Sequence, residues 1–161
     1  MNLTRRPLQQ EEDCKQQRST FLANQDYINA LGNFVWQFAL LEWKAIYVTV
    51  TLNNDDWTKI PLKKSSNAIR NVLTNSIQLR PEFADRLSSF AKHYRAAILE
   101  RNGLLHVHPY TAVDGSQQLG GVDREDVKRE WTLTRLRDET KKLCDWGREG
   151  NILVHELRQK S

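Results

Sequence analysis

Cysteine is scarce: Cys14 and Cys144 are the two in 161 residues. They stand far apart, without CxxC or related spacing, which excludes a disulfide framework and the common zinc modules. A reducing compartment follows most simply, and the cytoplasm is the expected location. No stretch approaches the roughly 18 consecutive apolar residues of a membrane-spanning helix. The opening MNLTRRPLQQEEDCKQQRST has basic residues but no apolar segment after them, so it is not expected to act as a secretory signal. Neither sign of charge dominates. Lys and Arg number 24 against 20 Asp and Glu, and the net +4 is compatible with a phosphate-bearing partner without establishing one. Internal repeats and low-complexity tracts are missing as well.

What remains is the composition of a folded protein. Hydrophobic residues make up 39% and charged residues 27%, well away from the disordered range. The length favours one domain with one core. Residues 1–20 are polar and aperiodic and read as an N-terminal arm, leaving 21–161 as a single helical domain.

Apolar periodicity carries the fold class, which is all-α. From about Tyr27 to Leu52, Leu31, Phe34, Val35, Phe38, Leu41, Ala45, Ile46 and Leu52 recur every three or four residues. A second stripe runs through Trp36, Leu40, Trp43, Tyr47 and Val50. A helix apolar on most of its circumference is central to a bundle or buried in a second interface, and the aromatic stripe reads as interface. Its β-branched end, Ile46 to Leu52, also fits a strand. Ser65 to Leu79 forms a shorter amphipathic helix. Pro81 suits the first turn of the next, whose stripe of Phe83, Leu87, Phe90, Tyr94, Ala97 and Ile98 continues toward Leu105. His108 to Val122 carries turn signals at Asp114, Gly115 and Ser116 and at Gly120 and Gly121, and reads as a short β-hairpin or an ordered loop. The last helix begins near Thr132, whose hydroxyl can cap it, with Trp131 and Leu136 as a staple. Its buried side is Leu133, Leu136, Leu143, Val154 and Leu157, with Gly147 and Gly150 as candidate breaks.

Chemistry concentrates in ILERNGLLHVHPY, Ile98 to Tyr110. Asn102 and His106 are four apart and share a helix face, so the amide can orient the imidazole. Arg101 points about 100° from Asn102 around the helix, but its length allows the guanidinium to swing toward the same cleft. Such a set suits phosphodiester cleavage. His106 can exchange a proton with a ribose 2′-hydroxyl, while Arg101 holds the phosphate in a bidentate fork that Lys could not supply.

The pattern Arg101, Asn102, three residues, His106 lies on the last turns of a helix that follows a long apolar helix containing Leu41 and Glu42. In this it resembles the HEPN superfamily. The resemblance covers roughly Tyr27 to Leu157 and implies an up-and-down bundle of four to five helices, usually a homodimer; the insertion from His108 to Val122, before the last helix, departs from that pattern and has no assigned role. Members that keep the motif are mostly metal-independent endoribonucleases of toxin–antitoxin, phage-defence and RNA-processing systems. By resemblance, Arg101 and His106 are the catalytic pair and Asn102 the polar position. RNA is the implied substrate, an antitoxin or other regulatory protein the implied further partner, and no cofactor is expected. Some members carry, two residues after the His, a Tyr that a partner modifies; here that position is His108, and Tyr110 lies two further on. His108 and Tyr110 are therefore only supporting candidates. Other members are non-catalytic and bind nucleotides or proteins, which is the alternative function.

Simpler readings stand beside this one. The motif would arise by chance in roughly one chain of this length in a hundred. Asn102-Gly103 between apolar residues is also a strong hairpin signal, and on that reading Arg101 and His106 are ordinary surface residues. His106 and His108, with His93 or His155, could in principle hold a metal, but no further ligands stand at recognisable spacing. Glu42 falls within an apolar stripe, where a bare carboxylate is costly. It is expected to pair with an Arg, either structurally or by fixing Arg101 or Arg95 to shape the cleft. Lys59, Lys63, Lys64 and Arg70 could follow a phosphate backbone or simply form a solvated face.

Overall fold

The computed structural model describes residues 24–54, 65–122 and 128–159. The expected N-terminal arm, and Lys59, Lys63 and Lys64 of the basic cluster, lie outside these. The described part is mostly helical with one small antiparallel sheet. Four α-helices, α1 (Gln25–Asn53), α2 (Ser66–Ser76), α3 (Ala84–Leu105) and α4 (Leu133–Gln159), occur among the described residues. Strands β1 (His108–Thr111), β2 (Gln117–Val122) and β3 (Lys128–Trp131) lie between α3 and α4.

Helix α1 starts where the Asn24 side chain accepts from the Asp26 amide at 2.8 Å, supplying a partner to an otherwise unpaired first-turn donor. It stays helical through the β-branched stretch to Asn53, so the strand alternative is not adopted. Asn54 stops it in the left-handed region at φ 50°, a conformation Asn tolerates better than most residues. Phe34, Phe38, Leu41, Ala45 and Val48 then fall on one stripe and are buried against the other helices. At about 1.5–3 kcal/mol for each large side chain buried, this stripe is the main source of cohesion for α1. Val35, expected among them, is 51% exposed. It stands next to Trp36 and on that residue's side of the helix, where Trp36 is 64% exposed and Leu40 and Trp43 are also open to solvent.

Ser65 caps α2, accepting from the Ala68 amide, and Ile69 and Leu73 face the core. A 3-10 turn at Pro81–Phe83 leads into α3, and all six residues of its expected stripe are buried. Thr132 caps α4 by accepting from the Arg135 amide at 3.1 Å, as its position suggested. Neither Gly147 nor Gly150 breaks α4. Gly150 is buried where a β-carbon would come within 2.9 Å of the Phe90 ring and 3.0 Å of Lys44 Cβ, so its lack of a side chain permits a close crossing.

The segment after α3 is more than a hairpin. β1 and β2 pair antiparallel around the Asp114–Ser116 turn, where Gly115 takes φ 80°. β2 also pairs with β3, with Leu119 opposite Trp131 and Gly121 opposite Arg129. Register partners share a sheet face. Leu119, Gly121, Arg129 and Trp131 therefore face one way, and His108, Tyr110, Gln118, Gly120, Lys128 and Glu130 the other. Trp131 is fully buried, edge-on to Phe34 at 5.3 Å between ring centroids. Tyr27 ties helix to sheet: its hydroxyl donates to the Trp131 carbonyl at 2.6 Å and accepts from the Leu119 amide at 2.9 Å. No helix among the described residues is long and apolar enough to cross a membrane.

Candidate functional site

Asn102-Gly103 does not form a turn; both residues are helical, and α3 runs on to Leu105. Arg101 follows Tyr94 by seven residues and so lies on the same buried face of α3. Its guanidinium goes inward, where Nη2 donates to Ser66 Oγ at 2.9 Å and Cζ sits 4.8 Å from the Phe38 ring centroid. The Ser66 hydroxyl in turn donates to Glu42 Oε1, which also accepts from the Tyr94 hydroxyl at 3.2 Å. Three helices thus contribute to one polar relay. Glu42 comes from α1, Ser66 from the first turn of α2, and Tyr94 and Arg101 from α3.

The relay answers the question of how a carboxylate is accommodated within an apolar stripe. Glu42 reaches Arg101 through Ser66 rather than by a direct ion pair, and Arg95 is exposed on another face. Burial, with the neighbouring Glu42 carboxylate adding to it, pushes the Tyr94 hydroxyl far above its ordinary 10.0. The phenol therefore stays protonated and serves as a donor to Glu42. One position in the cluster is unsatisfied: among the described residues, buried Arg101 Nε has no hydrogen-bond partner. A guanidinium lying over the Phe38 ring, with Nη2 bonded to Ser66, is held in orientation.

His106 is the C-cap of α3, with φ −106° and ψ 10°, and its ring is exposed. Five residues separate it from Arg101, so the two diverge by about 140° around the helix. Among the described residues no hydrogen bond joins them. Asn102, half-buried, does share the His106 side. The structure therefore brings Arg101 to Glu42 and keeps Asn102 near His106, but does not join the two halves of the motif within one chain. His108 is exposed on the outer sheet face. Tyr110 covers Gly120 on that same face, with its ring 2.6 Å from where a β-carbon would stand, and its hydroxyl donates to Gln118 Oε1 at 3.3 Å. Neither supporting candidate joins Arg101. Of the basic cluster, Arg70 is described, and it hydrogen-bonds to Asn71.

Ser66, Tyr94 and Phe38 carry the relay but were not singled out for it by the sequence. The available signal was the stripe itself, since continuing Tyr94 by two turns leads to Arg101. A second ion cluster locks the neighbourhood. Arg135 of α4 pairs with Glu100 at 2.8 Å, donates to the Glu130 carbonyl at 3.1 Å and lies 4.3 Å above the Trp131 ring. An open groove along α4, lined by Thr134, Asp138, Lys141 and Asp145 among others, includes no motif residue. Among the described residues, no three His, Cys, Asp or Glu side chains gather as a metal site would require.

No protein-family model, no curated protein and no solved structure matches this chain.

Proposed function

We propose that the chain is a metal-independent endoribonuclease of HEPN type, an up-and-down helical bundle acting as a homodimer in the cytoplasm. The observation that carries this reading is the helical placement of the motif. Arg-Asn-x-x-x-His occupies the closing turns of α3, with Arg101 anchored by residues from two other helices and His106 exposed at the helix end. In the reaction, His106 removes the proton of a ribose 2′-hydroxyl. The 2′-oxygen attacks the adjacent phosphorus, a 2′,3′-cyclic phosphate forms, and the departing 5′-oxygen takes a proton from a second acid. Two copies of the motif in one cleft supply both His106 groups, one as base and the other as acid. The exposed Val35, Trp36, Leu40 and Trp43 face of α1 supports such pairing, because monomeric proteins seldom leave a contiguous apolar face open. A toxin or phage-defence role, restrained by an antitoxin or other regulatory protein, is the setting that accompanies this chemistry.

A second reading has its own observation. Arg101 is already engaged by Ser66 and Phe38, as in a structural cluster, which favours a non-catalytic HEPN module binding a nucleotide or a protein. End-labelled RNA incubated with the protein in EDTA distinguishes the two. The ribonuclease reading expects fragments ending in a 2′,3′-cyclic phosphate and a 5′-hydroxyl, with a 2′-O-methyl strand left intact. Intact RNA in the presence of folded protein, under conditions where the oligomer is present, supports the binding module.

A further inference from the structure

A cationic side chain of the inserted sheet packs against α3 at Gly103. Resting on the ribonuclease reading above, we infer that Arg129 of β3 holds the RNA phosphate beside His106, while Arg101 acts as a positioning residue from the opposite side of the helix. The geometry starts at Gly103. A β-carbon there would stand 4.0 Å from Arg129 Cδ, so the Arg129 stem runs across the helix at this residue. Asn102, His106 and Gly103 lie at successive angles of about 100°, 140° and 200° from Arg101, a single continuous face. Arg129 lies along that face, and Arg101 does not.

The sheet is fixed in this position. Gly121, the register partner of Arg129, packs against the chain just after α3, where a β-carbon on it would meet Val107 Cα at 3.5 Å and the His106 carbonyl at 3.8 Å. Arg135 links β3 to α3 through the Glu130 carbonyl and Glu100. Tyr27 fixes the other end of the β2–β3 pair to α1. Arg129 also shares its sheet face with buried Trp131, so strand alternation turns its side chain toward the helices, while Lys128 turns outward and pairs with Glu130 at 2.6 Å. The insertion thereby becomes the second wall of the site, and its ligand is the phosphodiester backbone of single-stranded RNA. A guanidinium suits this role because it can bond two phosphate oxygens at once.

The test compares wild type, Arg129→Gln, Arg129→Lys and Lys128→Ala, all shown to be folded by circular dichroism. Gln keeps much of the stem that lies along Gly103, so loss of charge is separated from loss of packing. Binding of a single-stranded RNA is measured across a salt series, together with kcat and KM for its cleavage. Arg129→Gln is expected to weaken binding by about tenfold or more, and to lower the slope of log affinity against log salt by about 0.7. Arg129→Lys should recover the salt slope but only part of the cleavage rate, and Lys128→Ala, of equal charge loss on the outer face, should leave kcat at the wild-type value. If wild type cleaves and Arg129→Gln matches it in slope, kcat and KM, the role of Arg129 is overturned and the ribonuclease reading stands. If wild type neither binds nor cleaves RNA, that reading falls and this inference falls with it.

Discussion

Two glycines three residues apart in α4, one of them at the core crossing, should respond to the same substitution with opposite signs. Gly147 and Gly150 both lie inside α4, and Ala is favoured over Gly in a helix interior by about 1 kcal/mol. At Gly147 an added β-carbon meets nothing within 4 Å, so Gly147→Ala should stabilise by up to about 1 kcal/mol. At Gly150 the same atom would stand 2.9 and 3.0 Å from two Phe90 ring carbons and 3.0 Å from Lys44 Cβ. Phe90 is fully buried, so its ring has no solvent to move into. Overpacking of this kind costs about 1–3 kcal/mol, which the propensity gain offsets only in part. The two variants should therefore differ by about 1–3 kcal/mol, or roughly 2–12 °C in Tm for a chain of this size. Thermal and urea unfolding of both provides the assay. Equal stabilisation of the two variants would refute the close crossing of α4 with α1 and α3.

Three further outcomes follow from buried polar groups. Tyr27→Phe leaves the Leu119 amide and the Trp131 carbonyl without their partner, costing about 2–4 kcal/mol; hydrogen exchange at Leu119 should accelerate, and unchanged exchange would contradict the tie. Ser66→Ala removes the link between Glu42 and Arg101 and should cost about 1–3 kcal/mol, measured by urea unfolding, whereas wild-type stability would make the relay incidental. Tyr94 and Tyr27 both have their pKa raised above 10.0, chiefly by burial. Above that value the unfolded chain gives up these protons before the folded one does, so stability holds up to about pH 10 and then falls as pH rises. Tyr94→Phe should reduce that alkaline slope by up to about 1.4 kcal/mol per pH unit, and an unaltered slope would mean that Tyr94 titrates normally.

The legible parts of the fold were those with a long apolar period. The Phe83 to Ile98 stripe, the Thr132 cap and the buried face of α1 at Phe34, Phe38 and Leu41 follow from local spacing, and the structure has them. β3 was missed because Lys128, Arg129, Glu130 and Trp131 offer one apolar residue in four; pairing with β2 and the Tyr27 hydroxyl create that strand. Gly150 resembled a break because local propensity cannot register a neighbour such as Phe90, sixty residues away. At the candidate site, the inward course of Arg101 was implicit in the Tyr94 stripe, although the motif suggested that its length would bring it to His106. The Ser66 bridge depends on α2 meeting α1 and α3, which no local pattern specifies. Arg129 was equally hidden, since its closeness to Gly103 depends on the register of β2 with β3.

The central claim is that the motif at the end of α3 cleaves RNA. Its most direct test is cleavage of a mixed RNA pool in EDTA by purified wild type, Arg101→Ala and His106→Ala, each checked for folding and oligomeric state. Cleavage by wild type that disappears in His106→Ala and is strongly reduced in Arg101→Ala is the predicted result. Equal cleavage by wild type and His106→Ala, or none by wild type with its oligomer intact, would contradict it.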